Sequence, residues 1–576
     1  MVFHAGANGL NDCVWAPSFY LPTVEALLRC VDHTSFMEDR DIGEMFLNFE
    51  LHPNTRRFVG VDVRPLELET KTNWLGWTKN LMGFRSSPYN SVKMYLISKE
   101  IIRGDRHGRD NAFQWDHVRF NLPGTKDYNP SEGWVTKRRA DGTLASDVVA
   151  FVDDERVIRS GHDRVVDAGH TLSTRESYLG LQDALRKVRP ATRQPGAWAG
   201  VVVHNDPDLG IIVLTLQEKW DRAKDICKHW FTKVMEGEKE LHFKSLQSDR
   251  GFLVYVANAY QAMKPYLKGF HLSLEMWRGG RDKEGWKLRH PVETEPEDVD
   301  ENWEEDKGWV ADQGPPSGFT PIAPRLRTDL QALLQLTSSP TPLKRVYRRR
   351  DLITAFYGFG DASSGGFGAS VGLPHGIQGR FGIWGRDEED KSSNYRELKN
   401  LVDTVEEEVC AGCLNQAKLW LFTDNSMAES CFVKGSSTSE LLHELILRLR
   451  ELEMRADLKL FLVHVAGTRM IAQGTDGLSR GMMCEGVMAG KDMLDYVDLA
   501  RSAFDCRPEI ADFIRKWVGI ESLKPLAAEE WYTLGHGVVG GYRDRHNIWI
   551  PSHAPNGQVY WWDPPQLLLM LHWKRL

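Results

Sequence analysis

The chain has 576 residues, 41% hydrophobic and 26% charged, with 72 lysines and arginines against 80 aspartates and glutamates and a net charge of −8. That length exceeds what one hydrophobic core supports, so about three to five domains are expected. No apolar run reaches the roughly 18–20 residues of a membrane span.

The N-terminal MVFHAGANGLND lacks the basic and apolar regions of a secretory leader, so an intracellular protein of the cytoplasm or nucleus is expected. The block from 1 to about 280 mixes strand-like and helix-like runs. Val148 and Val149, then Val157 and Ile158, predict a β-hairpin whose join lies in FVDDERV. Hairpin joins favour Asn-Gly or Asp-Gly because the turn needs positive φ. Here the join carries Asp153 and Asp154, two carboxylates that repel each other unless a cation such as a metal ion lies between them. An exposed polar turn is the plain alternative. The run RKVRPATR (186–193) is basic.

From Arg281 to Pro324 the chain is rich in Pro, Gly and acid and reads as an interdomain linker, so the net negative charge is concentrated there. KRVYRRR (344–350) is locally basic, which fits a solvated face as well as a nucleic-acid contact. ITAFYGFG, GGFGASV and RFGIWG then predict three strands of an antiparallel meander. NYRELKNLVDTVEEEV puts Leu398, Leu401, Val402, Val405 and Val409 on one helical face. KLWLFTD predicts a strand, STSELLHELILRLRELEM a helix, and LKLFLVHV a last strand. Asp361 falls at the end of the first strand, Glu397 in the first turn of the first helix, Asp424 at the end of the fourth strand, and Asp476 beyond the last. Singly, Glu397 suits a first turn and Asp424 a helix cap. Together they suit a metal site at one end of a sheet. Eight irregularly spaced cysteines give no disulfide framework, and Cys410 and Cys413 lack the further ligands a zinc site needs.

FGDASSGGFGAS, NYRELKNLV, TDNSMAES and VAGTRMIAQGTDGLSR resemble a retroelement ribonuclease H domain. The resemblance implies that Asp361, Glu397, Asp424 and Asp476 are its four metal-binding carboxylates. FVDD resembles the catalytic hairpin of a reverse transcriptase palm. DIGEMFLNFELHP resembles the preceding palm strand, with Asp41 as metal ligand and Phe46 as the aromatic that crowds a 2′-hydroxyl. LMGFRSSPYN resembles the template- and nucleotide-positioning segment, implying roles for Gly83, Arg85 and Pro88. YLGLQDALRKVRP implies that Lys187 meets the pyrophosphate, AWAGVVV a primer-grip hairpin, and GFLVYVANAYQAMKPYLKGFHLSLEMW the thumb.

The fold so implied is an α+β right-hand polymerase, with palm, thumb and incomplete fingers, followed by an α/β RNase H-like domain. The expected boundaries are 1–205 for fingers remnant and palm, 206–285 thumb, 286–345 linker or connection, 346–482 RNase H-like domain and 483–576 a C-terminal region without assigned role. The fingers are expected to be incomplete because the family's basic finger strand lies upstream of the first matched segment. The flavour is that of a DIRS-like or related retrotransposon. The implied activity is RNA-directed DNA synthesis with cleavage of RNA in RNA–DNA hybrids, using two Mg²⁺ or Mn²⁺ ions per site. The implied partners are an RNA template, a DNA primer, the hybrid and dNTPs, with no membrane. A ribonuclease H alone, or a truncated or domesticated nucleic-acid-binding derivative without catalysis, remains open beside it.

Overall fold

A computed structural model describes residues 31–287 and 315–497, apart from 65–72, 106, 122–128, 130–131, 133–134, 350–354 and 374–375. It also describes residues 5, 9–14, 24 and 28 and three strands between 531 and 551. The chain is a mixed α/β protein built on several sheets, two of them short ribbons that pair β2 (Gly60–Asp62) with β3 (Trp74–Gly76) and β12 (Glu240–His242) with β13 (Phe319–Pro321). Among the described residues no helix is long and apolar enough to cross a membrane.

The N-terminal block centres on an antiparallel sheet of β1 (Ser35–Asp41), β6 (Asp147–Phe151), β7 (Asp154–Ser160) and β8 (Arg189–Thr192), in the order β6-β7-β1-β8. The 147–160 hairpin forms as its pattern predicts. The strand before it differs from the expectation: β1 ends at Asp41, and the matched residues that follow form a turn and a 3₁₀ segment, Met45–Asn48. β1 reads SFMEDRD, yet Glu38, Asp39, Arg40 and Asp41 are all buried. Cross-strand partners make this tolerable, since a buried charge must be paired. Asp39 accepts from Arg156 (2.6 Å) and Arg189 (2.6 Å), and Arg40 bridges Glu38 (2.7 Å) and Asp183 (2.8 Å).

One face of this sheet is covered by α1 (Ser87–Arg103) and α2 (His162–Leu179), with Val148, Ala150 and Val157 against Val165, Ala168, Leu172 and Tyr95. The other, through Met37, Val149 and Ile158, packs on a second sheet containing β9 (Gly196–Trp198), β10 (Val201–Asp206) and β11 (Gly210–Leu214). The fourth strand of that sheet is β14 (Arg345–Arg349), paired with β11. The basic run at 344–350 is thus largely a strand, and Arg348 is buried with its guanidinium on the Val31 carbonyl.

Next comes a helical unit of α3 (Gln217–Met235), α4 (Phe243–Ala259), α5 (Lys268–Glu275) and α6 (Arg325–Leu336). The expected boundary at 205/206 cuts β10; the helices start at Gln217. The expected linker or connection at 286–345 also needs correction. Leu326, Leu330 and Leu333 of α6 lie fully buried against Trp220, Leu253 and Phe270, so α6 belongs to this unit's core. Its apolar spacing of four and three residues is helical, and the Pro-rich sequence before it masked the signal.

The block after 354 forms a five-stranded sheet, β17-β16-β15-β18-β19, from β15 (Ala355–Ala362), β16 (Gly366–Leu373), β17 (Gly376–Ile383), β18 (Lys418–Thr423) and β19 (Lys459–His464). β15 to β17 are antiparallel, whereas β15–β18 and β18–β19 are parallel. The helix α7 (Ser393–Cys410) buries its predicted face, and α9 (Glu440–Ala456) sends Leu442, Leu445, Ile446, Leu449 and Leu452 into the same core. An additional helix not expected from the sequence, α8 (Ser426–Lys434), precedes α9, and α10 (Gly467–Gln473) follows β19. In the C-terminal region, β20 (Trp531–Leu534), β21 (Gly537–Arg543) and β22 (Ile548–Pro551) join β4 (His117–Phe120) and β5 (Val135–Arg138) in one sheet. Cys13, Cys227, Cys410, Cys413, Cys431 and Cys484 are free thiols.

Candidate active sites

The first site lies at the end of β1. Antiparallel register sets Asp41 opposite Asp154, and the Ile42 N–H donates to the Asp153 carbonyl at 3.0 Å, so three carboxylates from two distant segments adjoin. The hairpin join is two residues, Val152 and Asp153, and Val152 takes φ +58°. A β-branched residue in the left-handed region is strained, and strain of this kind collects at functional turns. Burial, then the neighbouring Asp153 and Asp41 charges, push the Asp154 carboxyl up to about 6. Asp153 is raised for the same first reason, with Asp41 adding to it. The Ala199 N–H, at the tip of the β9–β10 hairpin, donates to Asp154 Oδ2 at 3.2 Å. Lys187, half-exposed, sets its ammonium 2.7 Å from Asp41 Oδ1.

The other residues expected here fall around this centre. Phe46 is half-buried in the 3₁₀ segment after β1. Asn48 holds that segment by donating to the Gly43 carbonyl and accepting from the Gln182 N–H, each at 2.9 Å. Gly83 (φ +88°) and exposed Arg85 occupy the loop before α1, and Pro88 is the second residue of that helix. Asn11 clamps the loop: its amide donates to the Gly83 carbonyl and its oxygen accepts from the Arg85 N–H, both at 2.8 Å. Sequence reasoning missed Asn11, Arg156, Arg189 and Ala199. Only the basic character of 186–193 hinted at one of them.

The second site sits where β15 and β18 end side by side. Among the described residues, Asp361, Glu397 and Asp424 are the acidic set whose ligand atoms all lie within 4.8 Å of one another. Asp361 is the penultimate residue of β15 and Asp424 directly follows β18. Glu397 is the fifth residue of α7, which Ser392 caps by accepting from the Tyr395 N–H, so it lies in the second turn rather than the first. The helix approaches because position 360 is glycine: a Cβ there would lie 2.4 Å from Leu401 Cδ2. Asn400 locks the contact, its amide donating to the carbonyls of Asp361 (3.0 Å) and Gly368 (2.8 Å).

This set is strongly desolvated. Burial, followed by the Asp361 and Asp424 charges, pushes Glu397 up to about 9, and burial pushes Asp361 up to about 6. Burial also raises Asp424. Glu397 Oε2 is buried without a hydrogen-bond partner. Three hard oxygen donors, mutual repulsion and an orphaned carboxylate oxygen fit a divalent cation such as Mg²⁺. The fourth expected residue, Asp476, is outside the close set. It lies in the short helix Thr475–Leu478 and is held by Arg480, whose Nη2 is 2.6 Å from Asp476 Oδ1.

No protein-family model and no curated protein matches the chain. Among solved structures it is similar to foamy viral protease-reverse transcriptase dRH bound to double-stranded DNA (11% identity, TM-score 0.33, 80% of this chain, 62% of that one). It is also similar to the foamy viral protease-reverse transcriptase in complex with RNA/DNA hybrid (11%, TM-score 0.33, 80% and 48%). A third is RNase H1 from Halobacterium salinarum NRC-1 (21%, TM-score 0.19, 22% and 96%). The chain thus spans less than two thirds of the length of the two viral proteins.

Proposed function

We propose that the chain is an RNA-directed DNA polymerase with ribonuclease H activity from a retrotransposon, with a palm at the first site, a thumb in the helical unit and a nuclease at the second site. One observation carries the reading: each of two sheets gathers at one end carboxylates drawn from widely separated segments, an oxygen-donor arrangement suited to the divalent ions that serve nucleotidyl transfer and phosphodiester hydrolysis.

Asp41, Asp153 and Asp154 would hold Mg²⁺ or Mn²⁺ in the palm, and Asp361, Glu397 and Asp424, with Asp476 beside them, in the nuclease. Bound there, the ions supply Lewis acidity that lowers the pKa of an attacking hydroxyl or water and screens phosphate charge. The chain's own groups orient and screen. Lys187 is exposed enough to exchange Asp41 for the anionic leaving group of a dNTP. Phe46, five residues past Asp41, would crowd a ribose 2′-hydroxyl, which is how a sugar pocket separates DNA from RNA precursors. The template is an RNA, the primer a DNA, and the nuclease substrate their hybrid. A DIRS-like origin fits the same motifs.

Primer extension on an RNA template and cleavage of a labelled hybrid test this together. Asp153→Asn/Asp154→Asn should abolish extension alone, and Asp424→Asn cleavage alone. Hybrid cleavage without polymerisation is a second reading, favoured by the Lys187–Asp41 bond, which occupies an oxygen the palm metal needs. Cleavage by a chain that extends nothing would select it, and loss of both activities in the unmutated chain would leave a nucleic-acid-binding derivative.

A further inference from the structure

The helical unit reaches the palm carboxylates through the β9–β10 turn. That turn is two residues, Ala199 (φ +49°) and Gly200 (φ +81°), between Trp198 and Val201. Two successive positive φ values define the tight hairpin turn whose twist matches the flanking strands. Its palm side is anchored: Trp198 is buried with the Arg156 guanidinium 4.9 Å from its ring centre, and Arg156 is itself bound to Asp39. From this tip the Ala199 N–H donates to Asp154.

The opposite side of the tip is held by α3 and α4. Tyr255 of α4 donates its hydroxyl to the Gly200 carbonyl at 2.9 Å. Lys219 of α3 donates to that hydroxyl at 2.5 Å and lies 4.7 Å from the tyrosine ring centre. A phenol that accepts from an ammonium is a stronger donor onward, because linked hydrogen bonds polarise one another. The fit is close: a Cβ at position 200 would lie 2.1 Å from the Tyr255 hydroxyl oxygen. Glycine here therefore serves both the turn and the approach of the tyrosine.

We propose that Tyr255 is a positioning residue for Asp154: through the Gly200 carbonyl it fixes the hairpin tip from which the Ala199 N–H orients the carboxylate, so the helical unit and the polymerase centre are mechanically linked. The inference rests on the reading of Asp154 as a polymerase ligand. Displacement of α4 relative to the sheet carries the Gly200 carbonyl with it, and the tip then shifts relative to Asp154. Asp154, 45 residues before Ala199 of the hairpin tip, is in this way set by Tyr255, 56 residues after Ala199. Lys219 supports the same bond by donating to the Tyr255 hydroxyl.

Tyr255→Phe tests the link while keeping the ring. In the full chain, single-turnover extension should slow roughly 3- to 10-fold, the value of one hydrogen bond. The dNTP KM and the primer–template Kd should stay within about two-fold, since no substrate contact is removed. Hybrid cleavage by the same molecule should be unchanged, reporting an intact fold. Amide exchange over 196–203 and 152–156 should accelerate in the variant. Lys219→Met should move the same readouts in the same direction by less.

Unchanged extension, or a weaker primer–template Kd with the rate preserved, overturns the inference, the latter by making Tyr255 a substrate contact. Unchanged exchange overturns it whatever the activity. Should the unmutated chain extend nothing, the polymerase reading fails and exchange alone decides: acceleration upholds the link between Tyr255 and the Asp154 hairpin.

Discussion

Glu397→Gln should stabilise the metal-free protein while destroying hybrid cleavage. In the folded state the Glu397 carboxyl sits near pKa 9, against the usual 4.5, because it is buried beside Asp361 and Asp424. The folded site therefore retains a proton that the unfolded chain releases. Stability is full below about pH 4.5 and is lost progressively as pH rises to about 9, at roughly 1.4 kcal/mol per unit. At pH 7.5 the loss reaches at most about 4 kcal/mol, and relaxation of the site brings it to about 2–3 kcal/mol. Glutamine keeps the volume without the charge. In EDTA at pH 7.5 the variant should melt roughly 5–10 °C above the parent in the transition that contains this domain, and at pH 5.5 the gap should shrink to a few degrees. Added Mg²⁺ should raise the melting temperature of the parent more than that of the variant, since a ligand bound only by the folded state stabilises it by mass action. Equal melting temperatures in EDTA at pH 7.5, or a gap that widens toward pH 5.5, would refute the assignment of Glu397 as a desolvated member of a metal-ready set.

Gly360→Ala should push α7 away from β15, since its Cβ meets Leu401; a cost of about 1–3 kcal/mol in chemical denaturation and loss of hybrid cleavage are expected. Leu330→Ala should cost about 2–5 kcal/mol, as for a buried leucine, whereas a residue in a linker would cost almost nothing; urea unfolding separates the two. Asp154, raised to about 6 without metal, must lose its proton to bind one. The Mg²⁺ concentration for half-maximal extension should therefore fall as pH rises from 5 to 7 and level off above, in a metal titration of the extension rate at fixed pH.

Much of the second site could be read directly because its side chains follow simple periods. Leu398, Leu401, Val402, Val405 and Val409 recur at helical spacing, and all are buried as that spacing requires. The strand ends then locate Asp361 and Asp424 without further information. The first site is harder because β1 has no hydrophobic alternation: its buried polar residues depend on Arg156 and Arg189, more than 110 residues away, and no local pattern encodes such pairing. Only the motif resemblance points to Asp41, and it implies a strand running on from Asp41, whereas β1 ends there. The α6 helix was hidden by the Pro, Gly and acid before it, and α8 by its shortness. Arg480 stands in the motif that pointed to Asp476, but only the fold reveals that it holds that carboxylate.

The two sites differ in how their repulsion is relieved before any metal arrives, and the difference sets the order in which they should load. At the first site, Lys187 already places a cation on Asp41, and the Ala199 N–H donates to Asp154. A metal there competes with the ammonium for Asp41. At the second site Arg480 engages Asp476, outside the close set, and Glu397 Oε2 is buried with no hydrogen-bond partner. Opposite charge is worth most where water is excluded, so the second set gains more from a divalent ion than the first does. Mn²⁺ titrated into the full chain at pH 7.5 and followed by electron paramagnetic resonance should fill the second site first, and Asp424→Asn should remove the tighter phase. If Asp153→Asn/Asp154→Asn removes the tighter phase instead, the Lys187 contact is no barrier to metal entry. Lys187→Met, which frees Asp41, should bring the two phases closer together.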